Sequence, residues 1–483
     1  MFDVRPVGYV IGLLVAALGV TMFAPLLADL VAGNGHWPVF LESAVITVLV
    51  GGLVSLACQN GVSSGLTIRQ TFLLTTLVWL ALPLFGSLPF MLGGADLSFT
   101  DAFFESMSGL TTTGSTVITG IEGLPEGLKL WRGVLQWLGG IGIIVVAMVF
   151  LPELRVGGMQ IFRSEGFDTM GKILPRATEI SSRISVIYVG LTLACTVTYS
   201  ALGMSSFDAI IHAMTTIATG GFANYDSSFG AFAPGVEYAG VVFMMLAALP
   251  FVRYVQLISG GGAVPLFKDS QIRTFFLVAA FLVLLISVWQ WSLSAQLTES
   301  AFRQSLFNVV SILTGTGYAS ADYMQWGPFA VTMFFFIGLI GGCAGSTACS
   351  VKIFRYQLLF ASIKAQIRRI HSPHGIFTPR YQGRPVSEDV LNSVMAFFVA
   401  FMVAIGVVGV LLAMTGLDFI TSISGAATAL ANVGPGLGNE IGPAGSFAGL
   451  NDMAKWILSF AMLVGRLEIL AVFTILSWHF WRE

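Results

Sequence analysis

Four short stretches of this 483-residue chain set hydroxyl or amide side chains beside glycine: Thr111-Thr112-Thr113-Gly114-Ser115, Thr219-Gly220-Gly221-Phe222, Thr314-Gly315-Thr316-Gly317-Tyr318 and Asn432-Val433-Gly434-Pro435-Gly436. Each lies between hydrophobic spans. Glycine-rich, non-helical backbone cannot face lipid, where nothing satisfies its N–H and C=O groups; at membrane depth it lines a cavity or lies within protein. Four such segments can wall one pore, with backbone carbonyls taking the place of an ion's water shell.

Two other features belong to the same chemistry. Arg466 stands inside the last apolar span; a charge there costs a few kcal/mol and marks a pathway or a buried pair. Glu468, two residues on, lies on a different helix face and is a poor partner. The segment Gly341-Gly342-Cys343-Ala344-Gly345-Ser346-Thr347-Ala348-Cys349-Ser350 follows the apolar run Val331–Ile340. Small and polar residues at that depth weaken a helix and expose backbone to a water-filled cavity; the alternative is a tight helix crossing through Gly341 and Gly345.

Reactive constellations are missing. No paired carboxylates or histidines occupy the spans at catalytic or metal spacing; His371 and His374 flank Ser372-Pro373 in a basic loop, and His212 most simply packs or caps. Gly434-Pro435-Gly436-Leu437-Gly438 lacks the preceding strand of a dinucleotide turn. Cys58, Cys195, Cys343 and Cys349 sit in or beside apolar spans without metal-type pairing. The chain does not read as an enzyme.

The elements that must position these residues are membrane helices. The chain is 55% hydrophobic and 10% charged, with mean hydropathy +0.85, against about 25% charge in soluble chains. Its apolar runs predict about ten full spans plus four shorter segments. The first, about Val7 to Val31, is too long for a signal peptide and has only Arg5 ahead of it, so an ordinary helix is expected. With both termini on the cytoplasmic side, most of the 23 lysines and arginines are cytoplasmic; only Lys129, Arg132, Arg303 and Lys455 fall outside, as the positive-inside rule requires. The outer loops carry acid, among them Asp96, Asp101, Glu105, Glu122, Asp208, Asp226, Glu237, Asp322 and Asp418; as a set they attract cations, and the alternative for any single one is a helix cap or a solvated loop. A net charge of −2 excludes a basic nucleic-acid surface.

All four glycine stretches fall on that outer side, about a hundred residues apart. Asp101-Ala102 precedes Gly114 at the offset at which Asp208-Ala209 precedes Gly221, and Met107 and Met214 match in the same way. Matching offsets signal internal duplication. A run too short to span precedes each glycine, predicting short helices over Phe99–Thr111, Phe207–Ile217, Ser300–Leu313 and Asp418–Leu430. Three have a Ser, Thr or Asp near the start as a cap. Their C-terminal ends aim the negative end of the helix dipole at the glycines, favouring a cation.

These residues resemble the Trk/Ktr/HKT superfamily of potassium transporters, specifically the bacterial Trk-type membrane subunit. The likeness covers essentially the whole chain. It is carried best by Ser108-Gly109-Leu110-Thr111-Thr112-Thr113-Gly114, the Asp208–Phe222 segment, Gly341–Thr347 and Gly465-Arg466-Leu467-Glu468. The resemblance implies an all-α polytopic fold of four pseudo-symmetric helix–pore helix–helix repeats around one pore, plus two N-terminal helices (about Val7–Val31 and Pro38–Cys58). The division is then 1–68 for the extra helices, and 69–160, 161–268, 269–385 and 386–483 for the repeats.

The implied filter strands are Thr112-Thr113-Gly114, Thr219-Gly220-Gly221, Gly315-Thr316-Gly317 and Asn432-Val433-Gly434, with potassium bound there. The residues after the filter glycine vary (Ser115, Phe222, Tyr318, Pro435), so strict four-fold symmetry is not expected. In plant relatives a serine at the first filter glycine goes with sodium transport; Gly114 favours potassium. The implied gate is a movable loop including Gly341, Gly342, Ala344, Gly345 and Ser346, touched by Arg466 projecting below the filter. The implied setting is the bacterial inner membrane, with lipid around a homodimer and a cytosolic nucleotide-binding TrkA-type ring meeting the basic stretches Arg163–Arg183 and Lys352–Arg384. No organic cofactor is implied. Rival readings are a sodium-selective or sodium-coupled member of the superfamily and, further off, a secondary transporter of an organic solute.

Overall fold

A computed structural model describes residues 3–61, 66–145, 177–294, 298–467 and 469–482. Most of the basic stretch Arg163–Arg183, and Glu468, lie outside them. Within them the chain is helical apart from loops and one short antiparallel hairpin, Arg380–Tyr381 with Arg384–Pro385.

The N-terminal helices α1 (Arg5–Thr21) and α2 (Phe23–Ala32) run nearly end to end and α3 (Trp37–Cys58) returns. α1 and α3 cross closely because Gly12 and Gly51 have no side chains: a Cβ on Gly12 would meet the Ser55 backbone, and one on Gly51 that of Ala16.

Four units follow, each a long helix, a short helix and a second long helix. They are α4 (Ile68–Gly86), α5 (Phe99–Leu110) and α6 (Glu126–Val145); α7 (Ala177–Ala201), α8 (Ser206–Ile217), α9 (Pro234–Ala247) and α10 (Phe251–Gln256); α11 (Ser270–Ser294), α12 (Glu299–Leu313), α13 (Gly327–Leu339) and α14 (Ile353–His371); and α15 (Glu388–Met414), α16 (Phe419–Ala431), α17 (Asp452–Arg466) and α18 (Ile469–Leu476).

Each short helix packs against the two long helices of its own unit and the second long helix of the unit before: α5 on α17, α8 on α6, α12 on α9, α16 on α13. The units therefore close into a ring in chain order, and the short helices stand at its centre. Beyond their first turns their residues are mostly buried, while Leu193, Val197, Leu277, Phe281, Val399 and Val403 are exposed on the perimeter, as lipid-facing helices require.

Seven helices among the described residues are long and apolar enough to cross a membrane, or eight with the bent pair α9–α10. The expectation of about ten full spans differs because second helices are interrupted. α9 and α10 turn through 86° at Pro250, which has no N–H to give; α13 and α14 are parted by the Gly341–Ser350 segment, and α17 ends at Arg466.

Candidate ion pathway

The short helices are built alike from their first residues. Ser98, Ser205, Thr298 and Asp418 are N-caps whose side chains accept from backbone N–H groups at 3.2, 3.1, 3.2 and 3.0 Å. All four are capped where three were expected, and in α5, α8 and α12 the cap stands ahead of the predicted start.

The C-terminal ends agree more closely still. The N–H groups of Thr113, Gly220, Thr316 and Val433 reach back to the carbonyls of Ser108, Thr215, Ser311 and Thr428 at 2.9, 2.8, 2.9 and 3.0 Å. Those of Thr112, Thr219, Gly315 and Asn432 reach Gly109, Thr216, Ile312 and Ala429 at 3.0, 3.0, 3.0 and 3.3 Å. This paired pattern is a Schellman termination, which needs a left-handed residue at its turn. The residues in that place are Thr112, Thr219, Gly315 and Asn432, with φ of 52°, 49°, 77° and 52°. Left-handed backbone is an outlier for a β-branched residue and marks a conformation imposed by its surroundings. Four extended segments thus leave four helix ends in the same geometry.

The segments meet. A Cβ on Gly114 would strike the Gly220 carbonyl, one on Gly221 the Thr316 carbonyl, one on Gly317 the backbone of Gly434, and one on Gly434 the carbonyls of Thr113 and Gly114. The ring closes in the order one, two, three, four, one. Gly114, Gly221 and Gly317 have φ of 88°, 81° and 83°, but Gly434 is not left-handed, so the fourth wall differs. The ring is tied across its seams: Ser115 Oγ donates to the Gly434 carbonyl at 2.8 Å and Asn432 Nδ2 to Thr113 Oγ1 at 3.0 Å. Tyr318 hydroxyl bonds the Thr215 and Thr216 hydroxyls of the neighbouring unit.

Side chains behind the ring hold it in ways the sequence did not disclose. Gln136 on α6 donates to the Gly220 carbonyl at 2.6 Å and accepts from Phe222 N–H at 3.0 Å. Glu105 pairs with Arg132 at 2.9 Å, both buried; Glu105 also accepts from Thr116 Oγ1 and Val117 N–H, and Arg132 donates to the Ala223 carbonyl at 2.7 Å over the Phe222 ring. This corrects the reading of these two residues as outer-loop charges: they are a buried pair within unit one, a strut whose arginine reaches across to wall two. Lys455 with Asp101 joins units four and one, and Arg303 with Glu237 joins units three and two. His212 packs against Phe229 and Phe232 and bonds the Asp208 carbonyl, as expected of a packing residue.

On the capped side of the ring lies a cavity of about 70 Å³ lined by Gly114, Gly221, Gly317 and Gly434 together with Asp226. The Asp226 carboxylate is oriented by N–H bonds from Gly120 and Ile121 at 2.7 and 3.1 Å.

On the opposite side the ring is covered by the Gly341–Ser350 segment. It is not helical, so Gly341 and Gly345 do not serve a helix crossing; Gly345 and Ser350 have φ of 71° and 61°, and Ile340 bridges Val351 at its neck. The loop is fastened to broken helix ends. Cys343 N–H and Thr347 Oγ1 donate to Ala248 and Ala247 carbonyls at 3.0 Å each, and Ala344 N–H to Gln271 Oε1 at 2.9 Å. Ser346 Oγ closes on the Cys343 carbonyl at 2.6 Å. Ser350 N–H occupies the Ala431 carbonyl at 2.8 Å, and Cys349 N–H the Thr314 carbonyl at 3.4 Å. Those two oxygens end the helices α16 and α12, where the dipole would favour a cation.

Arg466 is buried between this loop and the helices α6 and α4. Nη1 donates to Cys349 Sγ at 3.2 Å and Nη2 to the Gly139 carbonyl at 3.1 Å, with the guanidinium 5.6 Å from the Trp79 ring centre. Among the described residues no carboxylate pairs with it. The structure thus brings together every residue expected at the filter and gate. It adds the supports Gln136 and the Glu105–Arg132 pair, and gives contacts to Tyr318 and Cys349, which the sequence placed only within the ring and loop segments.

A family model described as TrkH, cation transport protein, matches residues 36–479. The chain is 44% identical over 480 residues to the Trk system potassium uptake protein TrkI of Halomonas elongata, covering 99% of this chain and 97% of that one. It is 35% identical over 485 residues to the Trk system potassium uptake protein TrkH of Escherichia coli, covering 99% of each. The crystal structure of the potassium transporter TrkH from Vibrio parahaemolyticus matches with a TM-score of 0.90 at 35% identity, over 100% of both chains.

Proposed function

Because the chain belongs to the TrkH family of cation transport proteins, which are membrane transporters and not enzymes, we propose that it takes up potassium across the bacterial inner membrane. Potassium gathers in the cavity on the capped side, facing the outside. It sheds water against the carbonyls of Thr112-Thr113-Gly114, Thr219-Gly220-Gly221, Gly315-Thr316-Gly317 and Asn432-Val433-Gly434, and then meets a gate of Gly341, Gly342, Ala344, Gly345, Ser346 and Arg466. The observation that carries this reading is the ring: four helix ends of one geometry, meeting in cyclic order.

The electrostatics run the same way. Four helix C-termini converge on the ring and stabilise a cation just beneath it. The loop opposes passage twice, by filling two of those carbonyl ends with N–H donors and by carrying Arg466 beside them. A positive guanidinium in low dielectric repels an approaching cation by several kcal/mol at short range, and displacement of the loop exposes the Thr314 and Ala431 carbonyls. The repeats on this reading begin at residues 69, 161, 269 and 386, the second of these outside the described residues. Both termini then face the cytoplasm; a second copy of the chain makes the homodimer, and a nucleotide-binding TrkA-type ring meets the basic face that includes Lys352–Arg384.

The test is cation flux into liposomes under an imposed gradient, comparing potassium, rubidium, sodium and choline, with Arg466→Ala beside the unaltered protein. Selective potassium and rubidium uptake, faster in the variant, is expected. Uptake dominated by sodium overturns the selectivity, and equal rates in the two proteins overturn the gate.

A further inference from the structure

Arg466 can act as a barrier only if something holds its side chain in the pathway. The guanidinium of a buried arginine normally finds acceptors for most of its donors. Here Nη2 has the Gly139 carbonyl, Nη1 has the Cys349 thiol, and Nε has no partner among the described residues, although Arg466 is only 5% exposed. Among the described residues the thiol is the loop's one hydrogen-bond link to the arginine. The same sulfur lies 3.5 Å from Thr112 Oγ1 and 3.9 Å from the Thr112 carbonyl, so one atom touches the loop's latch point, the first residue of a ring segment and the guanidinium.

Sulfur is a weak acceptor. A carboxylate at position 349 would neutralise the arginine; an apolar side chain would leave a second donor unsatisfied in a buried site. The thiol places the charge without cancelling it. Cys349 also sits on the movable element, whereas Gly139 sits on α6, so withdrawal of the loop removes one of the arginine's two anchors.

We propose that Cys349 is the positioning residue of the gate: its sulfur holds the Arg466 guanidinium across the pathway while the loop is in place, so that loop and arginine leave together. The inference rests on the gate reading above. It makes the loop and the charge a single barrier whose strength is set by the acceptor at position 349.

The experiment is potassium uptake by the full-length protein in liposomes over a range of potassium concentrations, with Cys349→Ala, Cys349→Ser, Arg466→Ala and the double variant Cys349→Ala/Arg466→Ala. Cys349→Val, which keeps volume without an acceptor, replaces the alanine variant if that protein is not monodisperse in detergent. Expected are a several-fold rise in maximal rate for Cys349→Ala, an unchanged half-saturating concentration, a rate close to that of the unaltered protein for Cys349→Ser, and no further rise on adding Cys349→Ala to Arg466→Ala. An unchanged rate in Cys349→Ala overturns the proposal. So does an equal fold-rise in the Arg466→Ala background, which would separate the thiol from the arginine, or a shifted half-saturating concentration, which would place its action in the ring through Thr112. Absence of uptake in every folded protein overturns the pathway reading itself, and an Arg466→Ala protein no faster than the unaltered one overturns the gate reading; either removes this inference with it.

Discussion

Basic side chains lie on both sides of the ring, and their company differs. On the capped side Arg132, Arg303 and Lys455 each face a carboxylate: Glu105 at 2.9 Å, Glu237 with Glu299, and Asp101 at 2.6 Å. On the loop side Arg466 has a thiol and a carbonyl. Paired charges across a seam cancel at a distance and act as struts, whose value is geometric. A lone buried charge keeps its field and is tolerated where that field has a use. The same residue type is scaffold above the ring and barrier below it.

Removing one half of a strut tests the first claim and has the largest expected effect. Glu105→Ala leaves Arg132 buried without its counter-charge and should cost about 3–5 kcal/mol, read as a marked fall in the thermal midpoint of the detergent-solubilised protein, with transport lost. Gly221→Ala comes next: a left-handed residue acquires a Cβ aimed at the Thr316 carbonyl. The backbone strain alone is about 1–2 kcal/mol, and potassium-over-sodium discrimination should collapse before stability does, measured as the flux ratio. Arg466→Ala should do the opposite of Glu105→Ala, changing the thermal midpoint little while raising uptake about tenfold, equivalent to about 1.4 kcal/mol of barrier. A fall in uptake would make Arg466 another strut and erase the contrast.

The smallest effect belongs to the caps. Asp418→Ala should cost about 1 kcal/mol. Hydrogen bonds from Thr421 hold the Asp418 carboxyl below its ordinary 3.8, so this contribution is complete above 3.8 and fades as pH falls through the lowered value. A stability–pH profile of Asp418→Asn should lose that acidic slope and otherwise follow the unaltered protein.

Local features were readable along the chain. Glycine with hydroxyl neighbours at matching offsets located all four ring segments, and Ser, Asp and apolar periodicity located the short helices, because caps and bilayer depth are properties of a dozen consecutive residues. The seams were not readable. Asp101 and Lys455 are partners only after the ring closes, Glu105 and Arg132 only once α5 packs on α6, and along the chain each looked like a loop charge near water. The bends were half legible: Pro250 and the Gly341–Ser350 run weaken helices, but which carbonyls their breaks release, and that the loop's own N–H groups take them up, depends on the fold. Thr112 and Thr219 in left-handed backbone contradict their residue type outright, since threonine propensity argues against that turn and only the closed ring enforces it.

The packing of each short helix on the unit before it bears on how the chain is made. α5, among the first of the ring to be synthesised, has α17 as its neighbour across the seam, and α17 is almost the last. Three walls can assemble as the ribosome delivers them, yet the first must wait in the bilayer with one flank bare until nearly the whole chain has been translated. A nascent chain that stops before Asp452–Arg466 therefore lacks the neighbour that closes the ring on its first wall.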